Sequence, residues 1–334
     1  MKMNTFSFGP SDVGIKVEYL AACREGGRAR RVQRIPRGKT PHLSRCGVLP
    51  LGTFIVTIEP MVIDGKKIAE ELLGELKKKP RIKKFLAGIL IGNDPASLSF
   101  LMHKQKGTEE LGVDFRLYRL AAELGNDKLR EEVGKIAGHR TCGGALVELP
   151  LPAPLNRHYI LNAVPREKDV DVLGERALGA FYADRNPIAP PVAETTAEIL
   201  RRMNFELKGK KAAIVGTGFL IGRPIVTWLM NKVEEIYVVH RGSALSILKK
   251  ADLVILGTGH PHLVAPEMVK DGALVIDFGY GKINGKICGD FDDDALKISN
   301  FKFQISYTPV PGGAGPILIA KLFENFYTLV GLQK

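Results

Sequence analysis

The 334-residue chain is 45% hydrophobic and 25% charged, the balance of a folded protein of about two domains and not of a disordered one. No apolar run reaches the roughly 18 residues that a membrane-spanning helix needs. Cys23, Cys46, Cys142 and Cys288 stand apart, with neither a C-x-x-C pair nor zinc-ligand spacing. That pattern argues against a disulfide framework or a structural metal and fits a reducing cytoplasm.

The net charge of +12 divides evenly: residues 1–60 hold ten Lys/Arg against four Asp/Glu, and the remaining 274 hold 38 against 32. The body of the chain shows no basic stripe interleaved with aromatics, so nucleic acid is not an expected partner and a membrane is not either. Anionic small molecules suit the balance. Residues 1–60 lack helical or strand period and include the basic stretch Gly26-Gly27-Arg28-Ala29-Arg30-Arg31. They read as a poorly patterned, dispensable extension; an organelle leader is the competing reading, interrupted by Glu18 and Glu25.

From Met61 the pattern is strong. Asp64 caps a predicted helix to about Lys78, with Ile68, Leu72, Leu73 and Leu76 as its apolar stripe. Phe85–Ile91 reads as a buried strand, and Ser97 precedes a helix to about Leu111 that Gly112 closes. Strand Phe115–Leu120, helix Lys128–Ala137 and strand Gly144–Leu149 follow. A second series comprises strand Lys211–Val215, a helix from Ile221, and strands Ile236–Val239, Leu253–Leu256 and Ala273–Asp277. A helix at Ala193–Met203 bridges the two series, and one at Pro316–Leu329 ends the chain. The alternation implies an α/β protein with two parallel-sheet units.

Gly216-Thr217-Gly218-Phe219-Leu220-Ile221-Gly222 lies between a predicted strand and a predicted helix. Glycines there permit a tight turn and close approach of a pyrophosphate to a helix N-terminus. They also suit an ordinary strand-to-helix turn; the β-α-β context favours a dinucleotide. Where an NAD site places an acidic residue at the end of the next strand, this chain has Arg241, with Ser243 close by. Arg241 is either a solvated loop residue or a cation for a 2′-phosphate, which would make the cofactor NADP. Ser97, Phe100 and Lys104 share one helical face, while Lys106 points elsewhere. By spacing alone Lys104 either snorkels to solvent or enters a site, where desolvation would tune it for proton transfer.

Several segments then recur together. Gly92-Asn93-Asp94-Pro95-Ala96-Ser97 with Lys104, Val147-Glu148-Leu149-Pro150-Leu151-Pro152, Lys168-Asp169-Val170-Asp171 and Tyr307-Thr308-Pro309-Val310-Pro311-Gly312-Gly313-Ala314-Gly315-Pro316 appear in order across residues 61–330. In these segments the chain resembles the bifunctional methylenetetrahydrofolate dehydrogenase/cyclohydrolase (FolD) family. The resemblance implies a folate-binding domain, 61–190 plus 308–334, facing a Rossmann-like NADP domain, 191–307, in a homodimer. It implies NADP-dependent oxidation of 5,10-methylenetetrahydrofolate to the methenyl form and hydrolysis of that product to 10-formyltetrahydrofolate. By motif position Lys104 resembles the catalytic lysine and Asp171 the carboxylate holding the pterin. Ser97 and Pro309, Val310, Pro311, Gly312 and Gly313 would lie beside the folate. Tyr280 would lie beside a cofactor held by Gly216, Thr217, Gly218, Gly222, Arg241 and Ser243, with no metal.

The chain departs from the family pattern where the chemistry is. Phe100 stands at the usual tyrosine, Glu148 at the usual glutamine, Val172 at a glycine, Ile188-Ala189 at cysteine-threonine and Gly218 at a serine. Phe100 and Glu148 therefore join Lys104 and Asp171 as the catalytic positions to watch. The departures leave three readings: a bifunctional enzyme, a dehydrogenase with weakened hydrolysis, and a catalytically silent nucleotide-binding paralogue.

Overall fold

The structure, a computed structural model, describes residues 61–298 and 304–333, together with two two-residue strands, β1 (Arg24–Glu25) and β2 (Arg28–Ala29), which pair antiparallel. The expectation that 1–60 are dispensable otherwise falls outside the described residues. From there the chain runs β3 (Met61–Val62), α1 (Gly65–Lys77), β4 (Phe85–Ile91), α2 (Pro95–Leu111), β5 (Phe115–Leu120), α3 (Gly125–Gly138) and β6 (Cys142–Val147). Helices α4 (Arg157–Leu161), α5 (Glu175–Tyr182) and α6 (Pro191–Arg202) lead to the second unit. There β7 (Lys211–Val215), α7 (Gly222–Leu229), β8 (Glu235–Val239), β9 (Leu253–Leu256) and β10 (Leu274–Asp277) precede the hairpin β11 (Gly281–Ile283) and β12 (Lys286–Cys288). The chain closes with α8 (Asp293–Ile298), β13 (Ser306–Tyr307) and α9 (Ala314–Leu332).

Two parallel sheets result. The first has the order β5-β4-β6; the second has six strands in the order β3-β13-β10-β9-β7-β8. Every residue of β4, β6, β9 and β10 is buried, which is why these segments read as continuous apolar runs and not as alternating ones. The first sheet is sandwiched between a cluster around Leu86, Leu101, Phe323 and Phe326 and another around Ile89, Leu129 and Ile160. Helix α9 packs on α1, α6 and β6 and so joins both units.

The helix ends follow local chemistry. The Asp64 carboxylate accepts from Lys67 N at 3.1 Å and caps α1, and Gly112 ends α2 with φ 64°. Helix α2 starts at Pro95, before Ser97, because the Asp94 carboxylate already accepts from Ser97 N at 2.8 Å. Met61–Val62 pair with β13 at the edge of the second sheet and not with the first: Met61 N donates to Ile305 O at 3.1 Å and Ile63 N to Tyr307 O at 2.8 Å. The β11–β12 hairpin was not expected; it is mostly exposed and carries no apolar period.

Candidate active site

At the C-terminal end of the first sheet, two ionisable side chains meet within the field of a third. Lys104 sits three turns into α2 and is 9% exposed; Glu148 follows β6, its N donating to Ile89 O at 2.9 Å, and is equally buried. The two side chains, 44 residues apart in sequence, meet with Nζ 2.8 Å from Oε2. Asp171 completes the group, carried alongside β6 by a parallel bridge between Ala145 and Asp169. Burial opposes the lysine charge, but Asp171 and Glu148 outweigh it and hold the ammonium above the ordinary lysine range. Burial pushes both carboxyls up, against the pull of Lys104. One cation thus lies in the field of two carboxyl groups, which favour its charged form.

The Asp169-Val170-Asp171 motif divides its labour. Asp169 is a buried clamp whose Oδ2 accepts from Leu173 N at 3.0 Å and Gly174 N at 2.8 Å; burial pushes it up to about 7. Asp171 acts electrostatically on Lys104. Val172 follows with φ 56°, a left-handed conformation that suits glycine and strains a β-branched residue. Its side chain is fully buried among Leu146, Val170 and Phe326, which holds the strained backbone in place.

Ser97 is buried, and its Oγ donates to Asp94 Oδ2 at 2.7 Å. Phe100 is 40% exposed and meets Tyr280 of the second unit edge-to-face, ring centroids 5.3 Å apart. Pro309 to Gly313 form a turn closed by Gly313 N donating to Pro309 O at 2.8 Å, with Gly312 at φ 103°. Gly313 lies against α1 so tightly that a Cβ on Gly65 would fall 1.7 Å from its carbonyl oxygen.

The second sheet ends in the glycine loop. Gly216 has φ 101°, and a Cβ on Gly222 would fall 1.9 Å from the Gly216 carbonyl oxygen, so both glycines are required by the backbone. A Cβ on Gly218 would meet nothing within 4 Å. The loop is tight at both ends and open in the middle, with Thr217 and Gly218 exposed, which fits a pyrophosphate lying on its backbone. Arg241 is exposed after β8, and Ser243 Oγ accepts from His240 N at 3.3 Å.

Four features escaped the sequence reading. Phe219 leaves the glycine loop to pack against the first unit, under the Arg157 guanidinium at 4.6 Å and edge-on to His158 at 5.1 Å. A groove of about 480 Å³ runs beside this clamp, lined by Leu149, Pro150, Leu151, Arg157, His158 and Leu220. Asp277 and Asp290 are both buried under the loops of the second sheet; burial, aided by Asp290, pushes Asp277 up to about 7. His260 contacts Arg241. Only the acidic character of Asp277 and Asp290 within otherwise apolar or glycine-rich stretches could have signalled any of these.

A glycine loop on a six-stranded parallel sheet, facing a second α/β unit with a buried lysine paired to a carboxylate, defines the class of dinucleotide-binding oxidoreductases. Residues 63–171 match the catalytic domain of tetrahydrofolate dehydrogenase/cyclohydrolase and residues 190–334 match its NAD(P)-binding domain. The chain belongs to the tetrahydrofolate dehydrogenase/cyclohydrolase family. It is 32% identical over 277 residues to the bifunctional protein FolD of Aquifex aeolicus, covering 79% of this chain and 93% of that protein. It is 37% identical over 277 residues to FolD of Limosilactobacillus reuteri, covering 79% and 95%. The crystal structure of the Campylobacter jejuni bifunctional enzyme aligns with a TM-score of 0.76 at 32% identity, over 82% of this chain and 99% of that one. The Trypanosoma brucei enzyme, complexed with NADP cofactor and inhibitor, aligns with a TM-score of 0.75 at 30% identity, over 82% and 98%.

Proposed function

We propose that the chain oxidises 5,10-methylenetetrahydrofolate to the methenyl form with NADP, and hydrolyses the methenyl product to 10-formyltetrahydrofolate more weakly. The observation that carries the second half is the buried 2.8 Å contact between Lys104 and Glu148, with Asp171 acting on the same ammonium. Bound NADP supplies the hydride acceptor. The glycine loop, with Arg241 and Ser243 at its mouth, holds the cofactor. Pro309 to Gly313 and Asp171 position the folate. Moving a hydride from the one-carbon bridge needs alignment of the two reacting carbons and no base, so it tolerates a charged lysine.

Hydrolysis is different. The water that attacks the methenyl carbon must lose a proton, and Lys104 can take it only as the neutral amine. Glu148 adds a second negative charge that opposes that form, where a glutamine would hydrogen-bond without charge. Phe100 lacks a hydroxyl that would orient the lysine or the water. The test follows NADPH formation and methenyl-folate decay separately in wild type, Glu148→Gln and Glu148→Gln/Phe100→Tyr. Hydrolysis should rise in that order while hydride transfer changes little. Fast wild-type hydrolysis that Glu148→Gln does not improve would overturn the reading.

The same proposal includes a homodimer and a cytoplasmic location. The open edge of the large sheet at β8, where Val238 is 45% exposed, suits pairing with a second copy. Among the described residues no helix is long and apolar enough to cross a membrane, no cluster of His, Cys, Asp and Glu could hold a metal, and Cys142 and Cys288 are free thiols.

A further inference from the structure

We propose that His260 directly contacts the 2′-phosphate of the dinucleotide, beside Arg241, and so helps to set the preference for NADP; the inference rests on the cofactor reading above. The strand order β9-β7-β8 puts the loops after β8 and β9 on either side of the glycine loop that follows β7. Arg241 comes from one of these loops and His260 from the other. Both are exposed, and they meet with Arg241 Nη2 3.3 Å from His260 Nε2.

The imidazole is oriented by its own turn. His260 Nδ1 lies 3.2 Å from Thr258 O, and a carbonyl oxygen only accepts, so Nδ1 carries the proton and Nε2 offers its lone pair to the guanidinium. The turn is anchored to the core. His260 N donates to Thr258 Oγ1 at 3.1 Å, while Thr258 N and Oγ1 donate to Asp290 Oδ2 at 2.6 and 2.8 Å. Asp290 is fully buried, and Gly259 turns the chain with φ 71°. A histidine left to solvent needs none of this support.

The arrangement suits a phosphate monoester better than a hydroxyl. Arg241 offers a fixed positive fork, and Ser243 can add a hydroxyl. A phosphate's second ionisation falls near pH 6, so an imidazole nitrogen beside it keeps a hydrogen bond whichever partner holds the proton. A cofactor with a 2′-hydroxyl presents no such charge.

The experiment measures binding of adenosine 2′,5′-bisphosphate and of AMP, which differ only in the 2′-phosphate, to the full chain by calorimetry. Wild type should bind the bisphosphate more tightly. His260→Ala should weaken the bisphosphate by about five- to tenfold, the scale of one ordinary solvent-exposed hydrogen bond, and leave AMP within about twofold. In an Arg241→Ala background the same change should still weaken the bisphosphate; no further loss there would mean that His260 only positions Arg241 and would overturn direct contact. Equal losses for both ligands would assign His260 to the adenine instead. Wild type that fails to distinguish the ligands would sink the NADP reading and this inference together, whereas discrimination untouched by His260→Ala sinks only the inference.

Discussion

Lys104 is buried with its ammonium 2.8 Å from a carboxylate and under the field of a second, whereas Arg241 is exposed and rests against the His260 imidazole. The two cations anchor the proposed hydrolysis and the proposed cofactor choice, and the fold treats them oppositely. In the buried group, water cannot screen the charges, so exchanging one neighbouring amide for a carboxylate moves the protonation balance of the whole cluster. At the exposed pair, solvent weakens each contact until a ligand displaces it. Chemistry at the first site is therefore set by which residues are neighbours, and recognition at the second by what the ligand brings.

The largest effect expected from this contrast is on Lys104. Replacing it with methionine leaves Glu148 and Asp171 without their shared cation, and the chain should lose about 3 kcal/mol of stability to urea denaturation along with its hydrolysis. A loss below about 1 kcal/mol would mean that the carboxyls simply take up protons, and that the cluster is no stiffer than the exposed site. Arg241→Ala comes next. It should weaken NADP by about ten- to a hundredfold and leave NAD nearly unchanged, as judged by fluorescence titration; equal losses would give Arg241 a structural role.

Glu148→Gln tests the sign of the buried coupling. Burial opposes the Lys104 charge while Asp171 and Glu148 raise its pKa, so deleting one of the two negative charges should lower it. The neutral amine then appears at lower pH, and the rising limb of the hydrolysis profile should move toward acid, with no matching shift in hydride transfer. The smallest effect belongs to the backbone. Val172→Gly empties a buried site but releases the strain at φ 56°. It should cost about 1 kcal/mol, less than the roughly 2 kcal/mol or more of emptying an unstrained core position. A full-sized loss in denaturation would show that Val172 sits there without strain.

Much of the architecture was legible because the information is local. Phe85–Ile91, Lys211–Val215 and Leu253–Leu256 coincide with β4, β7 and β9, since a buried parallel strand announces itself as an apolar run, and Phe115–Leu120 coincides with the half-buried edge strand β5. Asp64 and Gly112 mark helix ends through hydrogen bonds and φ preferences that span a few residues. The glycine spacing of the phosphate loop was equally plain, and the structure adds that Gly216 and Gly222 are needed for close approach while Gly218 leaves open space.

Tertiary structure decided the rest. Sequence placed a glutamate in a motif and a lysine on a helix face; it took the packing of α2 against the β4–β6 sheet to bring their polar atoms to 2.8 Å. Of the two aspartates at 169 and 171, only the bridge to β6 and the turn at Leu173 and Gly174 decide which is spent on backbone and which faces the lysine. The departure at Val172 was visible as a missing glycine, but its left-handed backbone was not. The edge pairing of Met61–Val62, the clamp on Phe219 and the meeting of Arg241 with His260 join segments far apart in the chain. Such contacts leave no period in the sequence, because they arise only when loops at the same end of a sheet are brought side by side.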